Sequence, residues 1–186
     1  MLRRHMLFFM SKVDIMLDYA DPQIRAIHVQ NYQQFSTQLF DEAKKYGFSK
    51  VEVFDHSDTN VSIAYKYEKD VIYVIQSIYM KEFDNTIIEN TSELFWKEFI
   101  KKRKESNIEY HTVASIQCVC TQKMNYQFKK YITQNVQQQY KRYQIKVAVS
   151  LGGKKAYLCQ TKGGFSGNVL RSLNLLFEMI TKEIMI

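Results

Sequence analysis

Val71-Ile-Tyr-Val-Ile-Gln-Ser-Ile-Tyr-Met80 is apolar at nearly every position and carries no charge. A strand with one wet face alternates apolar and polar residues, whereas a strand covered on both faces does not. The stretch therefore reads as a central strand. Before it, Glu68-Lys69-Asp70 is a turn, and Val61, Ile63, Tyr65 and Tyr67 alternate with Ser62, Ala64, Lys66 and Glu68. That alternation predicts a half-buried strand. Val51 to Phe54 predicts another, across the polar turn Asp55-His56-Ser57-Asp58-Thr59-Asn60.

Outward toward the N-terminus, Asn31 to Tyr46 reads as a helix. Asn31 is a capping type, Phe35, Leu39, Ala43 and Tyr46 recur at helical spacing, and Gly47 stops it. Ile24 to Val29 and Lys12 to Tyr19 are short strand candidates around the Asp21-Pro22 turn. Residues 1–10 are basic and apolar and read as an N-terminal extension or the start of an organellar targeting segment. Neither reading gives them a part in the fold.

Outward toward the C-terminus, Thr91 or Ser92 is expected to cap a helix whose buried side holds Leu94, Phe95, Phe99 and Trp96. Ile108 to Thr121 reads as a long strand. Met124 to Tyr143 reads as the longest helix, striped by Phe128, Ile132, Val136, Tyr140 and Tyr143. Gln144 to Leu151 and Ala156 to Thr161 form a hairpin around Gly152-Gly153-Lys154-Lys155. A final helix presents Val169, Leu173, Leu176, Phe177, Ile180 and Ile184 to the core.

With 186 residues, 46% hydrophobic and a single proline, the chain is long enough for a large core and has no Pro-rich linker. The expectation is one α+β domain over 11–186, with halves at 11–106 and 107–186. Its sheet is largely antiparallel, with helices mainly on one face. Asn31-Tyr32-Gln33 matches Asn125-Tyr126-Gln127, so the order also reads as two tandem β-α-β-β units. In topology alone this resembles the effector-binding, gyrase-inhibitor-like domains. The resemblance transfers no residues, but it implies a cleft for a small ligand, for which Tyr65, Tyr67, Tyr73 and Trp96 are the candidate lining.

Charge divides the chain. Residues 1–90 hold 10 Lys and Arg against 13 Asp and Glu; residues 91–186 hold 16 against 6, and the two balances, −3 and +10, give the net +7. From Tyr110 to Phe177 there is no acid at all, but ten basic residues. Lys129, Lys130, Lys141, Arg142, Lys146, Lys154, Lys155, Lys162 and Arg171 are the candidate contacts to a nucleic acid or other polyanion, with Lys123 beside them. Such contacts release counterions and read no sequence. Interleaved Tyr126, Tyr131, Tyr140, Tyr143, Tyr157 and Phe165 can stack on bases where they are not core residues.

Catalytic signals are weak. Helix, three strands, helix, strand is the core order of PD-(D/E)xK nucleases, and in that resemblance Asp58 stands near the first acid. The next strand should carry an acid, a gap and a Lys; Gln76-Ser77-Ile78 has neither charge, so the resemblance stops at element order. Asp55, His56 and Asp58, with Glu52 nearby, are read as a polar turn. Cys118-x-Cys120 shares one strand face without the partners a zinc site needs, and the odd count with Cys159 suggests reduced thiols. Lys162-Gly-Gly-Phe-Ser-Gly-Asn168 is not a phosphate-loop motif and is read as a loop capped by Ser166 or Asn168. No run of apolar residues is long enough for a membrane span.

The expected function is a non-enzymatic, cytoplasmic binding protein without metal or cofactor, whose basic half contacts nucleic acid or another polyanion. A small-ligand module is the second reading. An adaptor pairing acidic and basic halves head to tail between copies, a homo-oligomer, is the third.

Overall fold

The computed structural model describes residues 23–56, 59–91, 112–133, 142–160 and 167–186. These comprise β1 (Gln23–Ala26), α1 (Tyr32–Lys45), β2 (Ser49–His56), β3 (Thr59–Glu68), β4 (Val71–Met80), a helix α2 at residues 85–91, β5 (Thr112–Thr121), α3 (Tyr126–Thr133), β6 (Arg142–Ser150), β7 (Lys155–Gln160) and α4 (Gly167–Thr181).

The strands form one seven-stranded mixed sheet in the order β1-β7-β6-β5-β4-β3-β2. Strands from both halves of the chain thus share it, and β4 lies inside it as its uncharged sequence requires. The two central pairings, β4 with β5 and β5 with β6, are parallel. The flanking pairings are antiparallel. Mixed sheet and helices place the protein in the α+β class.

Parallel neighbours need crossovers, and this corrects the expectation of helices mainly on one face. Alternate residues of β4 enter two separate cores. Tyr73 and Ile75 join Ile116, Val147, Phe35 and Leu39 of α1, and Leu173 and Phe177 of α4. Ile72, Val74, Ile78 and Met80 join Val113, Val119, Ile88 of α2, and Phe128, Tyr131 and Ile132 of α3. The sheet is therefore covered on both sides. Each fully buried isoleucine contributes about 1.5–3 kcal/mol relative to exposure.

The strand order does not confirm the tandem expectation. β5, β6 and β7 lie side by side, but β1 pairs with β7 at the opposite edge from β2 and β3. The short Asn-Tyr-Gln match lies at two helix starts that share one cap geometry, Asn31 accepting from Gln34 N–H and Asn125 from Phe128 N–H.

Local signals explain most boundaries. The Asn31 side chain accepts from the backbone N–H of Gln34 at 2.9 Å, and Gly47 takes φ +84° after α1. α2 begins earlier than the expected cap at Thr91 or Ser92, because Asp84 already serves, its Oδ1 accepting from Thr86 N–H at 2.8 Å. The helix expected over Met124 to Tyr143 is corrected at its end: Arg142 and Tyr143 pair with Val113 and Ala114 in β6. Likewise β2 and β3 extend into the expected polar turn at Asp55 and Asn60. The strand proposed at Lys12 to Tyr19, and Leu94, Phe95, Trp96 and Phe99, lie outside the described residues.

Candidate nucleic-acid interface

α3 is built by its pattern. Phe128, Tyr131 and Ile132 turn into the core, and the Asn125 side chain accepts from Phe128 N–H at 2.8 Å while donating to the Phe83 carbonyl at 3.1 Å. Residues three and four apart share a helix face. Tyr126, Lys129 and Lys130 therefore form one outward stripe, and all three are exposed, Tyr126 to 80%.

The stripe does not stand alone. Lys123 is exposed in the loop before α3. That loop meets the β6–β7 turn, since Leu151 N–H donates to the Thr121 carbonyl at 2.9 Å and Gly152 N–H to the Gln122 carbonyl at 3.1 Å. A Cβ on Gly152 would lie 2.5 Å from the Gln122 oxygen, so the close approach requires glycine. Lys154 and Lys155 are exposed at this turn. The Lys154 Nζ is drawn back to the Val29 carbonyl at 2.5 Å, which leaves Lys155 the freer charge. Half-buried Tyr157 packs beside α3, its hydroxyl donating to Met124 Sδ at 3.4 Å.

The structure separates other residues of the expected set. Lys146 is 6% exposed and inside the α3 core, so it cannot meet a phosphate. Arg171 is exposed on α4, on the opposite side of the sheet. Lys162 and the side chains of Lys141 and Arg142 lie outside the described residues, as do Tyr140 and Phe165. Tyr131 is buried and is a core residue. Among the described residues ion pairs join Arg25 to Glu178, Lys45 to Glu42 and Lys66 to Glu68, and none of these three involves Lys123, Lys129, Lys130 or Lys155.

The described members of the expected ligand pocket, Tyr65, Tyr67 and Tyr73, do not come together, and Trp96 lies outside the described residues. Tyr65 and Tyr67 lie opposite Val74 and Ile72, on the α3 side, whereas Tyr73 joins the α1 and α4 core. A crevice of about 780 Å³ lies elsewhere, at the carboxyl end of β4. Met80, Phe83, Ile87 and Tyr126 give it apolar wall; Lys81, Glu82, Asp84, Asn125 and Gln127 give it polar rim. Sequence periodicity missed it because its walls belong to loops and helix starts. The Asp84 and Asn125 cap residues were the available signal.

Nothing on β4 supplies an acid or a lysine. Gln76 is tied to Gln117 at 3.0 Å, and Asp58 lies outside the described residues. Cys118 and Cys120 are fully buried on the α1 and α4 side. Burial pushes the Cys118 thiol up to about 12 and raises Cys120, beside it, well above the usual range. Among the described residues no three His, Cys, Asp or Glu side chains gather as metal ligands, and no helix is long and apolar enough to cross a membrane.

No family model matches the chain, and no curated protein or solved structure matches it either.

Proposed function

We propose that the protein is a non-enzymatic nucleic-acid-binding protein that holds the phosphate backbone with little regard to sequence. The observation that carries this is the set of exposed Lys123, Lys129, Lys130 and Lys155 around the start of α3, within a stretch containing no acid. Lysine ammonium groups gathered on one side of a sheet raise the local positive potential and release counterions from a phosphate chain. These lysines reach the backbone rather than base edges, so affinity rather than sequence choice is the expected product. Titration of labelled DNA and RNA at two salt concentrations tests it: micromolar binding at low salt that weakens with added salt supports the reading, and no binding removes it.

The crevice beside Tyr126 favours a second reading, a small-ligand module, since about 780 Å³ falls within the range of ligand pockets.

A further inference from the structure

We propose that the crevice at the carboxyl end of β4 receives an unpaired nucleobase, so that the preferred partner is single-stranded nucleic acid. This rests on the backbone-binding reading above and specifies its substrate.

The crevice and the lysines divide the work by chemistry. Its lining includes one lysine, Lys81, against two carboxylates, Glu82 and Asp84, a formal balance of −1. A phosphate is poorly served there. At the nearby helix start the Asn125 side chain already takes the Phe128 N–H. A base is served well. Tyr126 offers an exposed ring at the wall, and every base has a face to stack on it. Carboxylate oxygens accept from the amino and imino N–H groups on a base edge, and the Asn125 and Gln127 side chains border the same space. Apolar Met80, Phe83 and Ile87 lie beneath.

The strand carrying that base has its phosphates provided for at the next helical turn. Lys129 and Lys130 follow Tyr126 by three and four positions on the same exposed stripe, and Lys123 precedes it. A paired base in a duplex keeps its face against its neighbours and cannot enter the crevice without unstacking, which is unfavourable. Duplex therefore engages the lysines alone.

The test is a labelled oligonucleotide of about twelve nucleotides, free and annealed to its complement, titrated at low salt with the whole protein, Tyr126→Ala, Tyr126→Phe and Lys129→Glu/Lys130→Glu. The expected result is tighter binding of the single strand. Tyr126→Ala should weaken that binding roughly 5- to 150-fold, the span for loss of one stacking platform, and leave duplex binding unchanged. Tyr126→Phe should bind like the natural protein, and the lysine reversals should weaken both forms. Equal affinity for the two forms, or single-strand binding insensitive to Tyr126→Ala, overturns the base site while leaving the lysine reading standing. Failure to bind either form removes both.

Discussion

The ammonium of Lys146 lies 2.6 Å from the backbone carbonyl oxygen of Tyr131 and 4.2 Å from the centre of the same residue's ring. It completes a polar row across the three parallel strands, Gln76 on β4, Gln117 on β5 and Lys146 on β6, which are register partners. Gln117 donates to Gln76 at 3.0 Å and accepts from the Tyr131 hydroxyl at 3.1 Å. A row of this kind in an otherwise apolar layer fixes strand register and the seat of α3 together.

Lys146 is therefore expected to act on stability rather than on binding. Lys146→Ala removes a charge-assisted bond and leaves a cavity, a loss of about 2–4 kcal/mol. Lys146→Met keeps most of the volume and removes the buried charge, so its loss should be smaller. Lys130→Ala, at an exposed site, should change stability by less than about 0.5 kcal/mol. Urea unfolding of the three variants decides it; equal midpoints for Lys146→Ala and Lys130→Ala would refute the buried role.

The sheet's centre was legible because Val71 to Met80 permits no wet face, and α1 because Asn31, its apolar stripe and Gly47 agree. Helix placement on both sides of the sheet was not legible. It depends on β4, β5 and β6 being parallel, and strand direction leaves no mark in apolar runs. The start of β6 is hidden in the sequence because Tyr143 continues a helical spacing while pairing as a strand with Ala114. Lys146 was misplaced for a related reason. Its side chain falls on the covered face of β6, but a charged residue between Ile145 and Val147 looks like ordinary alternation. Lysine count alone therefore overstated the interface, and register corrected it.

The β3–β4 turn holds a correctable strain. Glu68 pairs with Val71, so Lys69 and Asp70 form a two-residue loop, and Lys69 has φ +54°. Such loops favour Asn or Gly at positive φ, where other residues are strained. Lys69→Gly should raise stability by about 0.5–1 kcal/mol, allowing for the greater freedom glycine gains on unfolding. Thermal unfolding with a lower midpoint for the variant would contradict this account of the turn.

The two buried thiols should be inert in the native protein. In a Cys159→Ser background, iodoacetamide at about pH 8, just below the ordinary thiol pKa, should leave Cys118 and Cys120 unmodified until denaturant is added. The sign of the linkage follows from the raised values. The folded state holds these protons more tightly than the unfolded chain. Their contribution is thus fully present below the ordinary thiol value of 9.0 and, for Cys118, is lost as pH rises toward about 12. Rapid modification without denaturant, or stability that rises over that window because of these thiols, would show that they are not sealed in the core.

Charge reversal separates the α3 side of the sheet from the α1 side. Lys123→Glu, Lys129→Glu, Lys130→Glu and Lys155→Glu together should abolish nucleic-acid binding without unfolding the protein, because exposed charges contribute little to stability. Lys44→Glu and Lys45→Glu alter exposed lysines on α1, across the sheet from α3, and should leave affinity within about threefold, the change expected from weakened long-range attraction alone. If the four lysines meet four phosphates of a single strand, log affinity should fall with log salt at a slope of roughly −3. Reversal of Lys130 alone should make that slope shallower by roughly 0.7. Fluorescence anisotropy over a salt series reads both quantities. Equal loss from the α1 pair and the α3 set would mean that attraction follows net charge alone, and the interface around α3 would then have no special standing.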